Sequence, residues 1–198
     1  MRKICMLMVS ILILALPAAS FGVEKGDMEF GIGAGAGIPI GDFGDFAKTG
    51  YLFGVNFGYY VTPVFTLGLK ADYHHFGASE DYMDILELLL VEGLEADFSI
   101  FQGTAYARYI LVPGKFAPYI KGGAGLYNVK ETWSGGDESG DSSDSYFGIS
   151  GGLGAQFQGE GMTGGFVEML FHNAFADDEN VQYIQLRGGI TLFLGAAK

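Results

Sequence analysis

Val181–Leu194 reads VQYIQLRGGITLFL, and its alternation decides the fold. Ile184, Leu186, Gly188, Ile190, Leu192 and Leu194 share one parity, while Tyr183, Gln185, Arg187, Gly189, Thr191 and Phe193 share the other. A strand points successive side chains to opposite faces, so this segment is apolar on one side and mixed on the other. Seven upstream segments repeat the pattern: Met28–Ile40, Tyr51–Val61, Phe65–His74, Phe98–Leu111, Pro118–Asn128, Tyr146–Gln158 and Gly165–His172. The last strand then closes the other seven into a ring.

The connections alternate in length. The first, third, fifth and seventh links are long, and the second, fourth and sixth are tight turns such as Thr62-Pro63-Val64. In an up-and-down antiparallel barrel, alternate connections lie on the same rim. One rim therefore carries the turns and the other the long links, Val129–Ser145 among them. Asp and Glu follow this division, with 17 of the 23 carboxylates falling in the long links.

The face polarity separates a membrane barrel from a soluble one. A soluble barrel fills its inside with apolar side chains. Here the second face carries Gly, Ser, Thr, Gln and Asn and all seven strand charges: Glu29, Lys70, Asp72, Arg108, Lys121, Glu168 and Arg187. Placing a Lys or Arg against lipid at the midplane would cost about 2–4 kcal/mol, and no strand forces that. A closed barrel also pairs every backbone N–H and C=O without an edge. Tyr51, Tyr59, Tyr60, Phe65, Tyr73, Tyr109, Tyr119, Phe147, Phe171 and Tyr183 gather toward strand ends, as interfacial girdles do. The expected fold is all-β, an eight-stranded antiparallel up-and-down transmembrane β-barrel.

Composition sets the remaining bounds. Arg2 and Lys3 precede the apolar run Ile4–Leu16, and Ala18-Ala19-Ser20 supplies small residues for cleavage before Phe21. This predicts a signal peptide over 1–20 and one barrel domain over 21–198, with its strands within 27–194. The single cysteine, Cys5, would leave with the signal, so no disulfide, thiol nucleophile or Cys-ligated metal is expected. Without Arg2 and Lys3, nine basic side chains face 23 acidic ones, a charge of −14 that argues against a nucleic-acid partner. Glycine, 33 of 198 residues, is concentrated inside the alternating strands.

The segments FGIGAGAGIPIGDF (30–43), YLFGVNFGYYVTPVFTLGLKADYHHF (51–76), APYIKGGAGLYN (117–128) and RGGITLFL (187–194) carry a resemblance. The chain resembles the small eight-stranded outer-membrane barrels of the OmpA/OmpX type, grouped as the outer-membrane β-barrel domain family. The resemblance implies the outer membrane of a Gram-negative bacterium, with outer-membrane lipids, lipopolysaccharide and the barrel-assembly machinery as partners. Arg187, Gly189, Leu192 and Leu194 resemble the insertion signal that this machinery reads. Two departures are that Gly195-Ala196-Ala197-Lys198 follows in place of a terminal aromatic, and that no peptidoglycan-binding domain follows, so cell-wall tethering is not implied.

Each candidate site competes with a structural reading. Gly31, Gly33 and Ala36 match a dinucleotide fingerprint, but no helix opens after them, and glycines at period two read as barrel wall. The seven inward charges read as a structural ionic plug, with a narrow passive pore for small solutes as the alternative. Glu168 and Arg187 lie on adjacent strands, and Glu29 lies on the strand that closes against the last. His74, His75 and His172 with Asp72 and Glu168 raise a lipid-modifying enzyme, which ranks last because LFHNAF places no serine beside His172. Tyr82–Ala96 reads as an amphipathic helix, and the 77–97 loop is where a surface or host partner would engage. GGDESGDSSDS (135–145) reads as a solvated acidic loop whose spacing specifies no calcium site. The expectation is a non-enzymatic barrel, without cofactor or metal, that supports envelope integrity or surface interaction.

Overall fold

The computed structural model describes residues 23–80, 83, 95–135, 138–159, 161–176 and 180–195. The expected signal peptide, and all but Met83, Glu95 and Ala96 of the expected helix over 82–96, lie outside the described residues.

The alternating segments form eight strands, β1 (Met28–Ile40), β2 (Gly50–Thr62), β3 (Phe65–Gly77), β4 (Glu95–Ile110), β5 (Phe116–Gly135), β6 (Glu138–Gln158), β7 (Thr163–Ala174) and β8 (Val181–Leu194). Each pairs antiparallel with the next, and β8 pairs with β1 from Met28↔Leu194 to Ile40↔Gln182, which closes the barrel. A pairing row leaves β1 at Met28 and runs through Tyr59, Leu67, Ala107, Gly122, Gly151, Phe171 and Ile184. It returns to β1 at Ile38, ten residues further along. This stagger tilts the strands and makes each row climb from the turn rim toward the long-link rim.

The outer wall is apolar. Leu69, Leu126, Leu153, Ile190 and Phe101 each expose more than half of their surface, while the opposite parity is buried. Between Phe101 and Leu111 the outward positions span ten residue steps, a height of roughly 26 Å at about 3.4 Å per residue and a tilt of about 40°, matching an apolar band of about 25 Å.

Three details differ from the sequence expectation. First, Val129–Ser145 is not a loop. The β5–β6 ladder continues to Gly135↔Glu138, held by Asn128 Nδ2 to Ser143 Oγ (2.9 Å) and the Lys130–Asp141 ion pair (3.1 Å). A hairpin with water around it needs no apolar face, so its composition resembles that of a loop. Second, three of the ten aromatics assigned to girdles point inward, since Tyr60, Tyr119 and Tyr183 are almost fully buried. Their place near a strand end says nothing of which face they take; parity decides it. Third, the first long link contains a five-residue helix, α1 (Asp42–Phe46), entered through Gly41 at φ 60°, a left-handed conformation that favours glycine.

Helix α1 turns Phe43 down into the barrel mouth, edge-on to Phe76 (5.3 Å between ring centroids) and Phe98 (5.8 Å). The same link is tied to the next by the Ala47↔Ala78 bridge and by Ser79 Oγ donating to the Asp45 carbonyl at 2.6 Å.

Candidate functional site

The lumen is built in layers, each supplied by the inward parity of several strands. At the turn rim, Val23, Tyr60, Ile110, Ala117, Tyr119 and Phe193 form an apolar floor. At the long-link rim, Phe43, Phe76, Phe98, Ile100, Tyr127 and Tyr183 form the core of an aromatic cap. All seven sequence-predicted charges lie between, each less than a tenth exposed.

The lower charge layer centres on Arg108 of β4. Its Nη1 lies 2.8 Å from Glu29 Oε1. Its Nη2 donates to Glu29 Oε2 (2.9 Å), the Tyr60 hydroxyl (2.9 Å) and Thr66 Oγ1 (3.0 Å). Gln156 Nε2 and the Tyr60 hydroxyl also donate to Glu29, at 3.0 and 2.8 Å. Glu29 lies opposite Phe193 rather than Arg187 in the β1–β8 ladder, so its counterion comes from across the barrel.

The upper layer links five of the seven charges. Lys121 Nζ lies 2.9 Å from Glu168 Oε2, and the Tyr119 hydroxyl donates to the same oxygen at 3.1 Å. Arg187, paired in register with Glu168, places Nη1 3.5 Å from Glu168 Oε1 and 3.7 Å from Asp72 Oδ1. Lys70 completes the set, 3.0 Å from Asp72 Oδ2 and donating to Gln185 Oε1 at 3.2 Å. Three carboxylates therefore face four cations, and each carboxylate has at least one ionic partner. Gly33 of β1 makes room for this layer, because a Cβ there would sit 2.8 Å from Arg187 Nε and 2.9 Å from Phe166 Cζ.

Sequence reasoning picked out the charges but not the neutral groups that complete the network. Gln102 donates to Asp72 at 2.9 Å and accepts from the Tyr183 hydroxyl at 2.9 Å, and Gln156 and Tyr60 serve Glu29. The signal that could have found them is parity, which they share with the charges.

The histidines separate. His75 points outward, 3.7 Å from Asp97, whereas His74 and His172 are buried beneath the cap. The β6–β7 ladder does bring a serine to His172, since Ser150 is its cross-strand partner, which sequence order concealed. Yet His172 Nδ1 lies 2.9 Å from the Tyr127 hydroxyl, its ring stacks on Tyr183 at 4.7 Å, and it is fully buried. Nucleophilic catalysis needs a base within reach of both a nucleophile and a substrate; a histidine sealed under an aromatic cap lacks the second. Among the described residues no group of three His, Cys, Asp or Glu is arranged to hold a metal ion.

The four residues expected from the resemblance to form an assembly signal divide between faces. Arg187 and Gly189 turn inward, and Leu192 and Leu194 face outward.

An apolar outer wall around a salt-bridged interior, with every strand edge paired, defines an integral outer-membrane β-barrel. The chain belongs to the outer membrane protein beta-barrel domain family, whose model matches residues 6–183, and it is a protein of the outer membrane. Its fold is similar to that of Ail, the attachment invasion locus protein of Yersinia pestis, in a structure with the heparin analogue sucrose octasulfate. That match has TM-score 0.60 and 18% identity, covering 85% of this chain and 99% of Ail. Neisserial surface protein A is similar at TM-score 0.56 and 15% identity, over 84% of this chain and 96% of that one. OprG of Pseudomonas aeruginosa is similar at TM-score 0.54 and 16% identity, over 88% and 99%. Comparison with curated protein sequences found no match.

Proposed function

We propose that the protein is a non-enzymatic, non-conducting barrel that reinforces the outer membrane and presents an acidic surface to the exterior. The observation that carries this reading is the filled lumen: the ion-paired layers lie between an apolar floor and an aromatic cap. A pore needs a continuous aqueous path, and buried charges that neutralise one another across the barrel serve to fix its cross-section instead.

The acidic exterior supports a surface role with a particular partner chemistry. Described residues of the long-link rim include Asp42, Asp45, Glu80, Asp97, Glu131, Asp141 and Asp144 against Lys48 and Lys130. Ail is seen with a sulfated polyanion; the charge here disfavours that class and suits a cationic partner or one bridged by divalent cations. Arg187, Gly189, Leu192 and Leu194 remain the proposed assembly signal. In the closed barrel β8 is paired on both sides and Arg187 is ion-paired, so the signal is readable only before closure.

Planar-bilayer recording of the refolded protein tests the closed lumen. Absence of conductance steps is expected, and stable ohmic steps would overturn it. A deletion strain should be more sensitive to detergent and bile salts. Acyl release from phospholipid or lipopolysaccharide by the purified protein would replace this reading with an enzymatic one.

A further inference from the structure

The geometry points to a buried site for one small monovalent anion of chloride size, held beneath the aromatic cap by Lys70, His74, His172 and Gln185. The first observation is charge. In the lower layer Arg108 balances Glu29. In the upper layer Lys70, Lys121 and Arg187 share only Asp72 and Glu168. One positive charge is therefore left over among five groups that are each less than a tenth exposed. A buried charge without a counterion is strongly unfavourable. The site rests on the closed lumen proposed above, which keeps solvent from supplying that counterion.

The second observation is a set of buried donors around that surplus cation. Lys70 Nζ has three N–H bonds and uses two, toward Asp72 Oδ2 (3.0 Å) and Gln185 Oε1 (3.2 Å). Among the described residues, Gln185 Nε2, His172 Nε2 and both ring nitrogens of His74 are buried without a hydrogen bond. An amide nitrogen only donates, and any imidazole carries at least one N–H. With the Tyr127 hydroxyl donating to His172 Nδ1 at 2.9 Å, the ring proton of His172 sits on Nε2. The groups adjoin one another. Gln185 is the cross-strand partner of Gly37, and a Cβ on Gly37 would lie 3.6 Å from His74 Nδ1. The Tyr183 ring stacks on His172 (4.7 Å) and meets His74 edge-on (4.9 Å), with the two imidazole centroids 6.2 Å apart. Donors gathered around an ammonium repel a metal cation and attract an anion. Water would accept from the same donors but brings no charge to offset Lys70. The anion then serves as a fixed counterion that ties β3, β7 and β8 together below the cap.

The test uses the full mature chain refolded in phosphatidylcholine bilayers. Urea unfolding is compared in sodium chloride, sodium bromide and sodium gluconate at equal ionic strength, gluconate being too large to enter. A ligand that binds only the folded barrel lowers the unfolding constant. A site half-filled at about 0.1 M should lower it about fourfold at about 0.3 M halide. Lys70→Met leaves two cations against two carboxylates, with Asp72 still held by Arg187 and Gln102, and should abolish the halide effect. His74→Phe keeps a ring stacked on Phe76 and the charge count unchanged, and should weaken halide affinity about tenfold. Crystals grown in bromide should show one anomalous peak beside Lys70 Nζ. A peak on the surface alone marks an adventitious ion only, and equal unfolding in all three salts marks bound water. Either result overturns the site, as does an undiminished halide effect in His74→Phe. Conductance enters none of these measurements, so the closed-lumen reading stands or falls separately.

Discussion

Removing the guanidinium of Arg108 while leaving Glu29 in place should be among the most damaging single changes in the lumen. Glu29 is fully buried, and Arg108 lies 2.8 Å from one of its oxygens and 2.9 Å from the other. Arg108→Met would strand that carboxylate with only the Tyr60 hydroxyl and the Gln156 amide as donors. Breaking one side of a buried pair costs about 3–5 kcal/mol, and the two surviving donors place the expected loss near the lower bound, about 3 kcal/mol. Glu29→Gln should cost a similar amount, because it leaves the cation without its counterion. The double variant removes both charges at once, and replacing a whole buried pair is often close to neutral. The expected signature is therefore a large favourable coupling, at least about 2 kcal/mol, in a double-mutant cycle. Urea unfolding of the protein refolded into phosphatidylcholine bilayers, followed by the fluorescence of Trp133, measures all four corners. Costs that add within about 0.5 kcal/mol would refute the claim that these groups act as a pair.

Arg187→Ala should lower stability by about 3 kcal/mol in the same assay through loss of its bridges to Glu168 and Asp72. It should still show no conductance in planar bilayers, because the floor and cap remain. Gly33→Ala should cost about 1–3 kcal/mol by crowding Arg187 and Phe166. Gly103→Ala, whose added carbon meets nothing within 4 Å on the outer wall, should stay within about 0.5 kcal/mol of the parent in urea titrations. Leu69→Arg, at an outward position 64% exposed, should destabilise the bilayer-inserted barrel by about 2–4 kcal/mol. The same variant should lose far less in micelles, which deform around the charge.

Much of the architecture was legible because membrane strands write their orientation locally. Leu186, Ile190 and Leu192 announce the lipid face of β8 with no reference to any other segment, and the inward charges could be identified by exclusion. The limits lay where that code lapses. Beyond the bilayer both faces of the β5–β6 hairpin meet water, so Lys130, Asp141 and Ser143 carry no alternation and read as a loop. Tyr60, Tyr119 and Tyr183 look like interfacial aromatics by composition, yet they turn inward and donate to Glu29, Glu168 and Gln102.

From sequence alone came the count of strands, the face each turned to lipid, the closing role of Val181–Leu194 and the seven charges of the interior. These follow from a period of two and from the cost of a charge in hydrocarbon, both properties of a single strand. Which charges meet was decided only in the tertiary structure. The ten-residue stagger around the barrel sets Glu29 against Arg108 of β4 and lets Arg187 join Glu168 to Asp72. Partners across a lumen are fixed by how the ring closes, and no local pattern encodes that closure.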